Sequence, residues 1–589
     1  MPRTPILTRR EALRLSATAG MAAATPASLF ASDSIKTGVH QEPGTVSTPR
    51  SAIAKTQYGP VRGFLAGGVF TFKGVPYGQN AGGENRWLPL KPPTPWKDEY
   101  PAFTYGANCP QSLHPWTAIE QTFIQDWDDG WLSEDMLKLN IWTPSLSGSR
   151  PVMVYFHGGG FSFGSSYELP SHEGAQMARH HDVVQVSVNH RLNILGFLDA
   201  SDIGGPAYED SVNVGMTDLV DSLKWVRENI ANFGGDPDRV MIYGQSGGGS
   251  KVTTLLGMPS ASGLIHRAAA QSGGGGNIPT SEQQREVARI MMKDLGLASN
   301  DMGTLQKMDW PSLIAAGNRA VAKVNPPGPG FFGPGLPGHP RAGWSPSVDG
   351  KLITMRSFFE AAPAVSKNVP ILIGSVSEEG NSMSSIPTEA EWHAGLAKTY
   401  GEEKATAIVQ TLKANYPHKQ IATLSYMCSG RPGLNGLFMR NNVVKMCGLK
   451  HELHAAPAYA YYFTWQTPLF DSRPGAWHTA DLQFCFDNTK RCEQGTGNTP
   501  EAQALARKMA ASWAAFAATG KPSVPGVAWQ PTEPETNRTM IFDNECRMVN
   551  DPEGNARKII LARTLPASDH LCGPRALVNP ASSPPTAST

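Results

Sequence analysis

The chain has 589 residues, with 51 Lys+Arg against 50 Asp+Glu, 40% hydrophobic and 17% charged residues. That balance excludes the basic stripe of a nucleic-acid binder and the high net charge of a disordered chain. No run of about 18 unbroken apolar residues follows the N-terminal segment, which excludes a polytopic membrane protein, and 60 Gly with 48 Pro argue for turns and irregular loops over a helical bundle.

The first element is a targeting segment. Arg9 and Arg10 precede a weakly apolar run from Leu15 to Ala31, the pattern of a bacterial twin-arginine export signal. The run carries Ser, Thr, Gly and Pro and is too polar and short for a membrane anchor. Residues 1–31 are therefore expected to be a signal peptide, cleaved between Ala24 and Ala31, and 32–45 a flexible leader. The expected mature protein is exported, periplasmic or secreted, with the Tat machinery as a transient partner and no stable membrane insertion. Seven cysteines in an exported chain allow up to three disulfides and leave at least one thiol. No CxxC pair occurs, and the chain is long enough to bury a core without staples.

From about residue 57, short apolar runs alternate with amphipathic stretches. Strands are expected at Val69–Val75, Val152–Phe156, Val183–Val188, Val240–Tyr243, Ala268–Gln271, Ile371–Ile373, Tyr459–Trp465 and Met540–Phe542. Several are near-continuous apolar runs, as strands buried on both faces require. Between them, Asp218–Ala231 carries Leu219, Leu223, Val226 and Ile230 on one helical face, and Ala502–Ala518 is a second helix. The alternation predicts an α/β fold with a mostly parallel sheet. Asn325–Gly350, rich in Pro and Gly, reads as a surface loop inside one domain; Phe331, Phe332 and Trp344 either line an active-site rim or sit on a mobile loop with no substrate contact. One domain is expected over 46–572, with a disordered tail over 573–589.

The chemistry begins at Gly244-Gln245-Ser246-Gly247-Gly248, a GxSxG between an apolar strand and a helix start of small residues. Glycines there allow the strained turn that lifts a serine above the sheet edge. The helix that follows aims N–H groups at the reaction centre. The rival reading is a glycine-rich strand-to-helix turn without chemistry. Upstream, Pro151–Phe156 runs into His157-Gly158-Gly159-Gly160-Phe161. Such a strand entering HGGG supplies backbone donors for an oxyanion.

A serine hydroxyl needs a base. In this fold class an Asp or Glu and then a His follow the serine. Glu378 and Glu379 stand just beyond the apolar run Ile371–Ile373, where α/β sheets carry their sites. His393, His418, His451, His454, His478 and His570 follow. Of these, His478 sits at a loop-to-helix boundary after Gly475-Ala476-Trp477. His451 and His454 lie three apart on an expected helix without the HExxH spacing of a zinc site and are taken as structural.

Taken together, these motifs resemble the type-B carboxylesterase family over about Gln57 to Ile560. The resemblance rests also on Phe72–Tyr77, Arg86-Trp87, Ser133–Asn140, Asn189–Leu192, Asn232–Pro237 and Gln271-Ser272-Gly273. It implies an α/β-hydrolase fold with a central, mostly parallel, twisted sheet flanked by helices, long insertions, and no metal or organic cofactor. Carried over by position, Ser246 is the nucleophile, His478 the general base and acid, and Glu379 its orienting carboxylate. Gly159, Gly160 and Gly247 become the oxyanion donors. Arg86 with Glu134, and Arg191 with Asp218, become structural ion pairs.

Three departures stand out. Met136 replaces a cysteine that relatives pair with the counterpart of Cys109, so that disulfide cannot form and the intervening loop is expected to be looser. Trp127 and Trp131 are expected on that loop near the substrate, with Phe161. Gln245 replaces a glutamate beside the nucleophile, which weakens attraction for cationic substrates. Gly247 stands where alanine is usual. The implied function is hydrolysis of small to medium, neutral, apolar carboxylic esters through an acyl-enzyme. An amidase, carbamate hydrolase or lipase uses the same triad. A non-catalytic, cholinesterase-like binding protein is the alternative of another class.

Overall fold

In the computed structural model, the residues described are 44–48, 51–112, 119–325, 341–380, 383, 386–429 and 435–561. The strands in chain order are β1 (Ile53–Thr56), β2 (Gly59–Arg62), β3 (Phe64–Ala66), β4 (Val69–Pro76), β5 (Tyr100–Pro101), β6 (Lys138–Thr143), β7 (Arg150–Phe156), β8 (Val184–Val188), β9 (Gly235–Gln245), β10 (Arg267–Gln271), β11 (Ile371–Val376), β12 (Ala458–Phe463), β13 (Arg538–Phe542) and β14 (Arg547–Asn550). Eleven of them form one sheet in the order β14-β13-β12-β11-β10-β9-β7-β8-β6-β4-β3. The seven from β13 to β8 are parallel, and antiparallel strands close both edges. Strands β1, β2 and β5 make a small separate sheet.

Strand alternation divides the core between the two faces of the sheet. Val152, Val154 and Phe156 of β7 join Val240 and Ile242 of β9 and Ile371 and Ile373 of β11 in one cluster. Met153, Tyr155, Met241, Tyr243 and Leu372 belong to the other. The helix Val214–Asn229 covers the first face; its expected stripe of Leu219, Leu223 and Val226, with Ile230 just beyond, is buried. The helix Pro500–Thr519 covers the second. Thr499 caps it by accepting from the Ala502 N–H, Pro500 starts it, and Gly520 ends it in a left-handed conformation. A third cluster joins Trp392, Leu396, Ile408, Leu412 and Leu424 on helices between β11 and β12.

The eight expected strands are all present, with ends that differ from the expected ones by up to five residues. Strand β6 and the edge strands were not expected. Lys138–Thr143 has no clean alternation because both of its faces are buried, and the edge strands are short. The helix expected under His451 and His454 ends at His451, with His454 beyond it at φ 47°. Arg86 clamps Glu134 through Nε and Nη2 at 2.6 and 2.8 Å, and Arg191 clamps Asp218 at 2.8 and 2.6 Å.

Cys109, Cys428, Cys447, Cys485, Cys492 and Cys546 are free thiols; Cys572 lies outside the described residues. Cys109 is buried and accepts from the Leu192 N–H at 3.2 Å, and Met136 fills the same core cluster. Residues 1–31, most of the expected leader and the 573–589 tail also lie outside the described residues. From Thr45 onward the chain is one unit. Among the described residues no helix is long and apolar enough to cross a membrane.

Candidate active site

The nucleophile turn follows from close packing at the carboxyl end of β9. A Cβ at Gly244 would stand 2.5 Å from the Phe156 carbonyl oxygen, and one at Gly248 2.1 Å from the same atom. Only glycine fits at both positions, so β7 and the helix Gly247–Gly257 can close on the turn. Ser246 between them holds φ 58° and ψ −123°, a region costly for any side chain and maintained only where the surroundings enforce it. Its N–H donates to the Gln271 carbonyl at 2.8 Å. Ser246 is half-buried among buried neighbours.

The HGGG segment leaves β7 and lies against this turn. Gly159 has φ 82°, and a Cβ there would fall 1.9 Å from the Phe163 carbonyl oxygen. Its own carbonyl accepts from the Ser162 and Phe163 N–H groups, which curls the loop and leaves its amides at the half-buried surface. Gly247 abuts Gly160: a Cβ at 247 would stand 2.6 Å from the Gly160 nitrogen. An added methyl at 247 would therefore press on the Gly160 backbone. Among the described residues nothing accepts from the N–H of Gly159 or Gly160.

The two adjacent glutamates beyond β11 do different work. Glu379 is buried, accepts from the Val376 N–H at 3.1 Å, and binds His478 Nδ1 through Oε2 at 2.5 Å. A carboxylate so placed holds the Nδ1–H tautomer and leaves Nε2 able to accept a proton. Glu378, fully buried, pairs with Lys419, accepts from the Ser377 hydroxyl and accepts from the Ala476 N–H at 2.7 Å. Its own N–H donates to the Ala476 carbonyl. That pairing fixes the loop two residues before His478. After His478, Thr479 is held at φ 86°, and Asp481 accepts from Tyr461 at 2.6 Å and Gln271 at 3.1 Å. Burial pushes the Asp481 carboxyl up to about 6, against the two donors that lower it.

The Gln245 amide nitrogen lies 3.2 Å from His478 Nε2. The ring therefore reaches the residue adjoining Ser246. No hydrogen bond joins the ring to the Ser246 hydroxyl among the described residues. The same amide nitrogen lies 3.4 Å from Nδ1, so it rests over the ring, and with Nδ1–H committed to Glu379 the Nε2 lone pair keeps its acceptor role.

Residues 50–559 match the carboxylesterase family. The chain belongs to that family. It is 31% identical over 515 residues to para-nitrobenzyl esterase of Bacillus subtilis (strain 168), across 86% of this chain and 98% of the relative. It is 29% identical to phenmedipham hydrolase of Pseudarthrobacter oxydans, across 80% of this chain and 90% of the relative. Among solved structures, an esterase from anaerobic Clostridium hathewayi that can hydrolyse aliphatic aromatic polyesters superposes with a TM-score of 0.75 at 32% identity, covering 88% of this chain and 99% of that one. The protein is accordingly a carboxylic ester hydrolase of the α/β-hydrolase fold.

In this carboxylesterase the residues expected around the substrate are placed unequally. Trp127 donates from Nε1 to Asp129 at 2.9 Å and stands edge-on to Phe163, 6.2 Å between centroids, one side chain from the HGGG loop. Trp131 is 56% exposed. Phe161, at φ 66°, is 7% exposed and packs edge-on against Phe197. Phe331 and Phe332 lie outside the described residues. Trp344 packs on the helix Trp310–Val324 and donates to Asn318.

Sequence reasoning passed over Glu378 as a positioning group, Lys419, Asp481 and Lys251. Only Lys251 carried a signal in its own segment, a charge inside the small-residue run Gly248-Gly249-Ser250-Lys251-Val252.

Proposed function

We propose that Ser246 attacks the ester carbonyl while His478 takes its proton, with Glu379 orienting the imidazole and Gly159, Gly160 and Gly247 donating to the oxygen that becomes negative. The alcohol leaves with the proton from His478. Water then repeats the attack on the acyl-enzyme, and Ser246 is restored. The observation that carries this reading is the 2.5 Å bond from His478 Nδ1 to buried Glu379, with the ring against the neighbour of a strained Ser246. Ser246→Ala tests it. Turnover of a p-nitrophenyl ester should fall by about 10⁴-fold or more with the fold retained, and a fluorophosphonate should label the parent at Ser246 and not the variant. Full turnover in Ser246→Ala would overturn it.

The substrate class we propose is a small to medium, neutral, apolar ester. Gln245 beside the serine brings no negative charge, and the net charge of +1 gives no long-range attraction for an ion. The similarity to a phenmedipham hydrolase favours a carbamate as the second class. Rates on matched ester, amide and carbamate substrates separate the two. We also propose that residues 1–31 direct export by the twin-arginine route to the periplasm or beyond. Arg9→Lys with Arg10→Lys should hold the precursor inside the cell, and export undiminished in that double variant would contradict the route.

A further inference from the structure

One buried cation stands behind the HGGG loop and has no part in the mechanism above. Lys251 lies on the helix Gly247–Gly257, one and a half turns after Ser246, and is 0% exposed. Its Nζ donates to the His157 carbonyl at 2.8 Å and reaches the Gly158 carbonyl at 3.5 Å. The Phe161 ring lies 5.7 Å away. No carboxylate is within ion-pair distance of Nζ among the described residues. An ammonium without a close counter-ion is costly to bury, so its place beside these two carbonyls calls for a reason.

The reason follows from the peptide groups it touches. The Gly158 carbonyl and the Gly159 N–H belong to one peptide unit, and the His157 carbonyl shares its unit with the Gly158 N–H. A charge-assisted bond to a carbonyl fixes the plane of its peptide and draws electron density from the N–H at the other end. His157 Nδ1 also lies 3.1 Å from the Gly158 carbonyl. The same carbonyl is therefore within reach of both the imidazole and the ammonium, and a roll of the loop would disturb both contacts.

We propose that Lys251 is a positioning residue for ester hydrolysis: its ammonium holds the His157 and Gly158 carbonyls from behind, and so aims and polarises the Gly159 N–H toward the developing oxyanion. This rests on the assignment of Gly159 as an oxyanion donor. Burial pushes the Lys251 ammonium down to about 7, opposed by the charge of Glu168. His157 and His190 face the same pocket; burial and the lysine charge both hold them well below the usual histidine value. They stay neutral while Lys251 carries the charge.

Lys251→Met tests the proposal, since it keeps an unbranched chain only one atom shorter and removes both charge and donor. We expect kcat on a p-nitrophenyl ester to fall by about tenfold to about a hundredfold, with KM changed by less than about twofold. A trifluoromethyl ketone, which becomes an oxyanion when the serine adds, should lose affinity by the same factor. The corresponding methyl ketone should not. Lys251→Arg, which keeps a cation, should recover part of the loss. A merely structural lysine would lower the melting temperature without splitting kcat from KM. A folded Lys251→Met with kcat and ketone affinity within about twofold of the parent overturns the proposal.

Where that variant does not fold, the unmodified enzyme supplies the measurement. Its kcat should decline on the alkaline side as the ammonium is lost, and a flat kcat from about pH 6.5 to about pH 9 overturns the proposal. Ser246→Ala distinguishes the two failures. If that variant is dead while Lys251→Met is fully active, the nucleophile assignment stands and only the role of Lys251 falls.

Discussion

Two walls meet over Ser246, and they are built by different means. On one side the nucleophile turn and the HGGG loop are shaped by main chain against main chain. Gly244 and Gly248 close on the Phe156 carbonyl, and Gly159 curls onto Phe163. On the other side His478 stands on a loop held by side chains from distant parts of the chain. Glu378 and Lys419 secure the residues before it, and Asp481, Tyr461 and Gln271 secure those after it. The first wall tolerates almost no added atom. The second tolerates changes of shape but depends on the balance of buried charge.

Breaking the wall of side chains at its centre should have the largest effect. His478→Ala removes the base, and kcat should fall by about 10⁴-fold to about 10⁶-fold while KM for the same ester changes little. On the wall of main chain, Gly159→Ala adds one methyl where the Phe163 carbonyl already stands, at a φ of 82°. The loop must shift, and kcat should drop by about 10²-fold to about 10³-fold. If Gly159→Ala keeps parental kcat, the loop is not the rigid wall described.

A milder test addresses the supports of His478. Glu378→Gln leaves Lys419 without its carboxylate. Because that lysine is 15% exposed, the loss should be nearer about 2 kcal/mol than the full cost of about 3–5 kcal/mol for breaking a buried pair. Denaturant unfolding reads it, and kcat should fall by about tenfold as the imidazole loosens. An unchanged stability would show that Glu378 holds the loop through the Ala476 N–H alone.

The smallest effect concerns Asp481. Its folded value of about 6 stands above its ordinary 3.8, so the folded state binds the proton more tightly than the unfolded one. Stability from this group is full below the ordinary value, falls as pH rises through that window, and stays low above it. Asp481→Asn should therefore gain about 1–3 kcal/mol at pH about 8 and nothing at pH about 4. Equal stabilities of parent and variant at both pH values would remove the strained carboxylate from this wall.

The same contrast explains what could be read without a structure. The apolar runs of β7, β9, β11 and β12 were legible because strands buried on both faces cannot hide their composition. β6 was not, since Lys138 and Asn140 interrupt it and the partners that satisfy Asn140, Ser166 and Ser187, lie elsewhere in the chain. Phe161 follows the glycines at a positive φ and is buried against Phe197. A backbone angle of that kind leaves no mark on composition.

Taken alone, the sequence determined the sheet-and-helix alternation, the strained glycine turn around Ser246 and the glycine loop after β7, because each is a demand on contiguous residues: burial along one strand, or the absence of a Cβ at one bend. Tertiary structure alone decided that Glu378 pairs with Lys419 and ties down Ala476, that Gln245 touches the imidazole, and that a lysine lies under the HGGG loop. Those are contacts between residues as much as 233 positions apart. Their strength comes from removal of water around groups that, in the extended chain, are separately solvated.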